Sequence, residues 1–207
     1  MQGRTGAGKS SLVAAMLRLV ELSGGKVTID GVDVSTLGLK ALRSAVAIIP
    51  QDPVLFSGTV RSNLDPFHLY TDAQCWESLA RTQLKEYVKN LSDPVEENGN
   101  NFSVGQRQLL CIGRALLAKA KVIIMDEATA AVDVETDFII QQTIREEFAY
   151  ATCLTVAHRL NTILDSDKVM VMDQGRVAEY DTPKALLSNP SSLFFALVQN
   201  WEAAQAE

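Results

Sequence analysis

The sequence predicts an α/β fold in which a mainly parallel sheet is covered by helices and a helical subdomain is inserted. Three short apolar segments, Val122–Met125, Thr152–Ala157 and Val169–Met172, have the length of buried strands, and a helical pattern at 134–148 separates the first two. Apolar strands that alternate with helices are typical of a parallel sheet with both faces covered. From 57 to about 118 the pattern is polar and helical, which indicates the inserted subdomain.

The length of 207 residues fits one domain, with a core at 1–56 and 119–207 around the subdomain at about 57–118. Periodicity and turn residues predict the remaining elements: a helix at Lys9–Leu22, a hairpin over 27–34, a strand at Val46–Ile49, helices at Thr71–Arg81, Gln83–Asn90 and Val104–Ala118, and two amphipathic helices within Pro183–Trp201. Gly113 inside the helix at 104–118 predicts a close packing contact, because glycine there otherwise costs about 1 kcal/mol.

Composition excludes several classes of protein. A net charge of -6 argues against broad binding to nucleic acid. No apolar run reaches the roughly 18 to 20 residues of a membrane-spanning helix, and the first residues lack the regions of a signal peptide. The cysteines Cys75, Cys111 and Cys153 have no metal-ligand spacing, which indicates free thiols in a reducing compartment.

The stretch GRTGAGKSSL near the start matches G-x-x-x-x-G-K-[ST], and a helical pattern follows it directly. Glycines allow backbone N–H groups to converge on a phosphate, and the helix N-terminus and the lysine add positive charge. The predicted phosphate-binding residues are Gly3, Arg4, Thr5, Gly6, Ala7, Gly8, Lys9, Ser10 and Ser11. The Ser10 hydroxyl is also a predicted Mg²⁺ ligand.

Only two residues precede Gly3, although a buried strand normally leads into such a loop. The chain is therefore expected to be truncated at its N-terminal side, with the first strands of the domain missing. Expressed alone, it is expected to be unstable or catalytically feeble, because the loop lacks its anchoring strand.

A second motif, VIIMDE, places two acids directly after the apolar segment at 122–125. Ligands of open α/β sheets bind at the carboxyl ends of the strands, so Asp126 is predicted to hold Mg²⁺ and Glu127 to polarise an attacking water. Paired acids after a strand more often form only a polar loop. The phosphate loop upstream favours the catalytic interpretation.

The third motif is NFSVGQRQLLCIGRALL at 101–117, where Ser103 is a predicted N-cap and the helix start is a second anion site. This stretch resembles the signature motif of ATP-binding-cassette (ABC) nucleotide-binding domains, and it is similar to the second such domain of the multidrug-resistance-associated (subfamily C) transporters. Ser103, Val104, Gly105 and Gln106 occupy the signature positions.

The resemblance implies a P-loop NTPase (RecA-like) core that binds ATP and Mg²⁺ and hydrolyses ATP. It also implies a head-to-tail pair with a second nucleotide-binding domain, in which the signature residues contact the ATP of the partner domain. Transmembrane domains of a transporter complete the implied assembly, and the subfamily resemblance favours export of a solute. The chain is expected at the cytoplasmic face of a membrane. Adenine preference follows from the family alone.

Other residues match the family in order along the chain. Gln51 resembles the Q-loop glutamine, a metal ligand that links the metal site to the helical subdomain and the membrane partner. Asp133 resembles the D-loop aspartate, a dimer contact, and His158 resembles the switch histidine that contacts the terminal phosphate. A lone histidine after a strand is more often structural, and His68 matches no motif and is predicted at the surface.

Other functions remain as alternatives. A regulatory or truncated nucleotide-binding module without productive hydrolysis is disfavoured by the presence of Glu127 and His158. A soluble ABC protein that acts on translation or DNA is disfavoured by the acidic charge and by the transporter-like stretch at 56–64. An ordinary P-loop kinase is the least favoured alternative, because such an enzyme does not need the signature residues.

Overall fold

The computed structural model describes residues 1–3, 6–126, 132, 134–156 and 160–205. Its α-helices in chain order are α1 (Lys9–Met16), α2 (Leu39–Ser44), α3 (Val60–Leu64), α4 (Asp72–Arg81), α5 (Val104–Ala118), α6 (Val134–Glu147), α7 (Leu160–Leu164), α8 (Pro183–Leu187) and α9 (Leu193–Gln205). Its strands are β1 (Thr28–Ile29), β2 (Val32–Asp33), β3 (Val46–Ile49), β4 (Gly58–Thr59), β5 (Pro94–Val95), β6 (Val122–Asp126), β7 (Thr152–Val156), β8 (Val169–Asp173) and β9 (Arg176–Asp181).

The chain divides into two compact units, one formed by 1–27 with 155–207 and the other by 28–154. The first contains the glycine-rich start of the chain, and the second contains α2 to α6 with most of the strands. The finer division into a core and a helical subdomain at 57–118 stays a prediction. Among the described residues, every helix is too short or too polar to serve as a membrane span.

The predicted parallel sheet is present in the strand order β3-β6-β7. β3 and β6 run parallel in a register that pairs Val46 with Val122 and Ile49 with Met125. β6 is buried from Val122 to Met125, as its continuous apolar sequence predicts. The carboxyl ends of β3 and β6 therefore lie side by side.

Helix α5 forms the centre of the larger unit. Its predicted stripe is buried, with Leu109, Ile112 and Leu116 at most 4% exposed. The close contact predicted at Gly113 is confirmed, because a Cβ there would lie 3.0 Å from Ser78 Oγ and 3.2 Å from Leu64 Cδ2. The Ser78 hydroxyl also donates a hydrogen bond to the Gly113 carbonyl at 2.9 Å. Glycine thus allows α4 and α5 to approach closely.

The helix predicted at Gln83–Asn90 is wrong, since this segment consists of turns. Gln83 has a φ of 58°, a left-handed conformation that ends α4 and cannot start a new helix. The Asp93 carboxylate accepts hydrogen bonds from the N–H groups of Lys89 and Asn90, which fixes the end of the segment as a loop.

Helix α1 ends at Met16, about 1.7 turns before the predicted end at Leu22. Arg18 is left-handed, with a φ of 48°, and its N–H donates to the Ala15 carbonyl while that of Leu19 donates to the Ala14 carbonyl. These are the two bonds of a Schellman motif, which closes the helix although no glycine is present.

In the smaller unit, Val171 of β8 forms a parallel bridge with Gln2, which agrees with the parallel strand predicted at Val169–Met172, but β8 also has a second partner that the sequence did not predict. It pairs antiparallel with β9, and Gln174 and Gly175 form the turn with φ values of 46° and 77°. Two successive positive φ values are typical of the tight turn of a β-hairpin. The predicted hairpin at 27–34 is confirmed by the antiparallel pair β1–β2.

A buried carboxylate, Asp65, organises the loop between α3 and α4. It accepts hydrogen bonds from the N–H groups of Leu69 and Tyr70, each at 2.9 Å, and from Arg61 Nη1 at 2.8 Å. Burial acts to raise the pKa of Asp65, but the backbone and Arg61 hydrogen bonds favour the charged form more strongly and lower the pKa below its usual value. The ionised carboxylate therefore stabilises the folded chain.

We expect the Asp65→Asn variant to lose about 1–3 kcal/mol of unfolding free energy at pH 7, because charged hydrogen bonds are replaced by neutral ones. Since the folded-state pKa is depressed, the wild-type advantage is complete above the unfolded-state pKa near 3.8 and is lost as the pH falls through the folded-state value. Urea unfolding of both proteins between pH 7 and pH 3 measures this. A difference that stays constant with pH would contradict the assignment; Asp52→Asn, at an exposed carboxylate, is the control.

Candidate functional site

The glycine-rich loop ends at Gly8, which is the N-cap of α1 with φ 101° and ψ 7°. No side chain among the described residues caps this helix, so its first N–H groups are oriented for an external acceptor. Gly3 begins the loop with φ 149°, and a Cβ there would lie 2.3 Å from the Met172 carbonyl oxygen. The loop conformation therefore requires glycine at both ends.

Lys9 is the first residue of α1 and turns back over the loop, where its ammonium group donates a hydrogen bond to the Gly3 carbonyl. Ser10 and Ser11 follow in the first turn of the helix and are exposed. Ala7 is buried and helps to fix the loop. The described part of the predicted phosphate loop thus combines a positive charge, hydroxyl groups and a helix N-terminus.

The β8–β9 hairpin anchors this loop within the smaller unit. The Gln2 N–H donates to the Met170 carbonyl and the Met172 N–H donates to the Gln2 carbonyl, each at 2.8 Å. The Gly175 N–H in the hairpin turn donates to the Ala7 carbonyl at 3.1 Å. Sequence reasoning missed this support, because Gln-Gly is a weaker hairpin signal than Asn-Gly or Asp-Gly and the strand that follows is largely exposed.

Gln51 and Asp126 lie at one edge of the sheet in the larger unit. Gln51 comes two residues after the end of β3 and Asp126 is the last residue of β6, next to the paired residues Ile49 and Met125. Both side chains are exposed. The structure thus places two of the predicted metal ligands at neighbouring strand ends, where oxygen ligands can converge.

The signature residues form the start of α5. Ser103 Oγ accepts the Gln106 N–H at 3.1 Å and Gln106 Oε1 accepts the Ser103 N–H at 3.0 Å, which makes a capping box and confirms the predicted N-cap. Ser103 is exposed, and a cavity of about 620 Å³ opens beside it. Gly105 is buried, and a Cβ there would lie 2.2 Å from Thr136 Cγ2 on α6.

Five predicted site residues lie outside the described residues, namely Arg4, Thr5, Glu127, Asp133 and His158. Of the rest, the phosphate loop lies in the smaller unit, whereas Gln51, Asp126 and the signature residues lie in the larger one. Their roles stay predictions. Gln108, Arg114 and Thr136 are the residues near the site that the motifs did not indicate.

The family model described as "ABC transporter" matches residues 1–130, which include the phosphate loop, Gln51, the signature residues and Asp126. The chain belongs to the ABC transporter family. It is 54% identical over 196 residues to rat ATP-binding cassette sub-family C member 2, and 55% identical over 197 residues to the human protein of that name. Each alignment covers 93% of this chain and 13% of the relative.

A relative from Dictyostelium discoideum, ABC transporter C family member 8, is 55% identical over 207 residues, 98% of this chain and 13% of its own length. The chain therefore spans about an eighth of the length of these curated relatives. Among solved structures, a bacterial Atm1-family ABC exporter with ATP bound superposes with a TM-score of 0.86 at 31% identity, over 96% of this chain and 36% of that one. The predicted α/β fold of an ABC nucleotide-binding domain is confirmed.

Proposed function

We propose that this chain is the motor domain of an ABC transporter, which binds and hydrolyses ATP to drive transport of a solute across a membrane. The observation that carries the proposal is the start of α1, where Gly3, Gly6 and Gly8 have positive φ angles and no described side chain caps the helix, an arrangement that suits a phosphate. The sequence relatives and the ATP-bound exporter with a similar fold support it.

In this proposal the residues from Gly3 to Ser11 hold the phosphates of ATP. Backbone N–H groups at the start of α1 donate to phosphate oxygens, and Lys9 exchanges its bond to the Gly3 carbonyl for a stronger one to a phosphate. Gly8 allows the β8–β9 hairpin to pack closely against the helix start, because a Cβ there would lie 3.3 Å from Gly175 Cα and 3.4 Å from Met172 Cε. The described start of α1 therefore already presents its N–H groups to a charged ligand.

Mg²⁺ fits the residues at hand. Among the described residues no cluster of three or more His, Cys, Asp and Glu side chains could hold a metal by itself. Mg²⁺ does not need such a cluster, because it is usually held by one or two protein oxygens together with phosphate oxygens and waters. Ser10, Gln51 and Asp126 would supply those oxygens, and the ion would neutralise the charge that develops on the phosphates.

Hydrolysis needs a positioned water and stabilisation of the transferred phosphoryl group. Glu127 orients and polarises the water, whose oxygen bonds to the terminal phosphorus while the bond to the ADP oxygen breaks. Lys9 and His158 stabilise charge on the phosphoryl oxygens, and Gln51 supplies an oxygen ligand to the metal site. The products are ADP and inorganic phosphate.

The signature residues complete the site of a second nucleotide-binding domain. Ser103 is exposed at the start of α5, where a phosphate of the partner domain's ATP would meet the helix N-terminus. Asp133 would contact that domain directly. The transmembrane domains of the transporter hold the pair at the cytoplasmic face of the membrane, and closure of the pair on ATP drives export.

We expect the chain to bind Mg·ATP and the Lys9→Ala variant to bind it at least about tenfold more weakly, because a charged hydrogen bond to phosphate is lost. Titration with a fluorescent ATP analogue in the presence of Mg²⁺ measures both affinities. Lys40→Ala is a matched control, because Lys40 is an exposed lysine in the first turn of α2. Equal affinities of the Lys9→Ala and Lys40→Ala variants would contradict the proposed function.

A further inference from the structure

The segment that carries Gln51 is held from one side by helix α5. Gln108 Nε2 donates a hydrogen bond to the Pro50 carbonyl at 3.2 Å, and Arg114 Nη1 donates to the Val54 carbonyl at 2.8 Å. Pro50 precedes Gln51 and Val54 follows it, so the two contacts bracket the glutamine. Both donors project from the helix whose first turn carries the signature residues.

Arg114 extends this contact into a network. Its Nε donates to the Asn63 carbonyl at 2.6 Å and its Nη2 donates to Asn63 Oδ1 at 2.8 Å. The Asn63 amide in turn donates to the Phe56 carbonyl at 2.7 Å and accepts the Phe56 N–H at 2.9 Å. Asn63 is only 2% exposed, so these hydrogen bonds are shielded from water. Side-chain hydrogen bonds therefore connect the segment to α5 at three residues, directly at Pro50 and Val54 and through Asn63 at Phe56.

Arg114 and Gln108 are polar side chains, unlike ordinary core residues. Burial lowers the pKa of Arg114, yet its hydrogen-bond partners in the segment and in α3 are carbonyl and amide oxygens, which stabilise the charge through their dipoles. Gln108 is completely buried, and its Oε1 has no hydrogen-bond partner among the described residues. An unpaired buried oxygen costs stability, so an apolar side chain would suit the fold alone at least as well.

We propose that Gln108 and Arg114 are positioning residues for Gln51, which connect it to the signature helix of the same chain. The inference rests on the proposed function, since it assigns Gln51 to the metal site. By holding Pro50 and Val54, the two side chains fix the backbone that presents Gln51 at the edge of the sheet. A displacement of α5 would then shift Gln51, and so couple the signature residues to the chain's own metal site.

The first test is the Gln108→Met variant of the intact protein, because methionine fills a similar volume without an amide. The loss of the Pro50 hydrogen bond is balanced by the loss of the unpaired oxygen, so we expect a thermal midpoint within about 3 °C of wild type. The half-saturating Mg²⁺ concentration for ATP turnover is expected to rise about tenfold, as for other groups that orient metal ligands. ATP affinity without Mg²⁺ is expected to stay unchanged.

The second test is Arg114→Lys, which keeps the charge but cannot bond Val54 and Asn63 together. Hydrogen–deuterium exchange of the peptide at 51–56 is expected to be about tenfold faster, with β6 peptides unchanged, because local opening of that segment becomes easier. Arg107→Lys is the matched control, since Arg107 lies on the same helix but donates to the Asn98 carbonyl.

The inference is overturned if both variants match Arg107→Lys in Mg²⁺ dependence and in exchange at 51–56. It is also overturned if exchange rises equally in all peptides, since that result indicates a purely structural role. Failure of the wild-type chain to bind and hydrolyse Mg·ATP when it is joined to its transmembrane domains and a second nucleotide-binding domain would contradict the proposed function instead. The exchange measurement would still decide whether α5 holds the segment.

Discussion

Replacement of Glu127 by glutamine is expected to leave Mg·ATP binding within about threefold of wild type and to lower ATP turnover by about 10²–10⁴-fold, the usual contribution of a general base. Glutamine keeps the size of the side chain but cannot accept a proton from water. Asp126, the preceding residue, ends β6 at the edge of the sheet beside Gln51, so the position of Glu127 in the sequence suits a group that acts on the terminal phosphate.

Phosphate release at saturating Mg·ATP measures turnover, and a fluorescent ATP analogue measures binding. Glu146→Gln is the matched control, because Glu146 is an exposed glutamate of α6, and it is expected to behave as wild type. Turnover by Glu127→Gln equal to that of the control would remove Glu127 from the mechanism. Loss of binding instead of turnover would make Glu127 a ligand-binding residue.

Elements whose ends are specified by local chemistry could be predicted from the sequence. The start of α5 follows from Ser103 and from Gln106 three residues later, because their side chains bond to each other's backbone and begin the helix at this position. The strand predicted at Val122–Met125 is confirmed and extends by one residue to Asp126, since a continuous apolar run before two acids is buried on both faces.

Elements whose apolar spacing suits more than one structure could not be predicted fully. The segment Gln83–Asn90 has helical spacing, but the left-handed Gln83 and the Asp93 carboxylate give it another structure. Val169–Met172 was predicted as a parallel strand and does bridge Gln2 in parallel, but its antiparallel pairing with β9 across the turn at Gln174 and Gly175 was not predicted. Apolar periodicity indicates which side chains are buried, but it does not indicate which strand or helix they pack against.

Some residues of the candidate site are likewise predictable from local motifs, whereas others depend on contacts between distant parts of the chain. The phosphate loop, the two acids at 126–127 and the signature are contiguous motifs, so the sequence alone indicates their chemistry. Arg114 acts on Val54, sixty residues earlier, and this contact exists only because α5 packs beside the segment after β3. No local pattern marks such a residue.

Gly105 provides the second prediction with a large effect. Its Cβ, if alanine replaced it, would lie 2.2 Å from Thr136 Cγ2, far inside contact distance, and 3.4 Å from Val132 Cγ1. We expect Gly105→Ala to lose about 1–3 kcal/mol of unfolding free energy through overpacking. ATP turnover should fall by about 10²-fold if the start of α6 shifts by an ångström relative to the signature residues.

The Thr136→Ser exchange separates this steric cause from any other role of Gly105. Serine keeps the hydroxyl and removes the Cγ2 methyl, which leaves Thr136 Cβ, 3.3 Å from the added Cβ, as the nearest atom of that residue. The backbone of Gly105 is helical, where alanine is better than glycine by about 1 kcal/mol, so the double variant should regain both stability and turnover. Urea unfolding and phosphate release of the four proteins of this cycle measure the coupling directly. If Thr136→Ser restores stability but not turnover, the glycine is needed for the approach of the partner domain's ATP; if it restores neither, the contact with α6 is not the reason for glycine at this position.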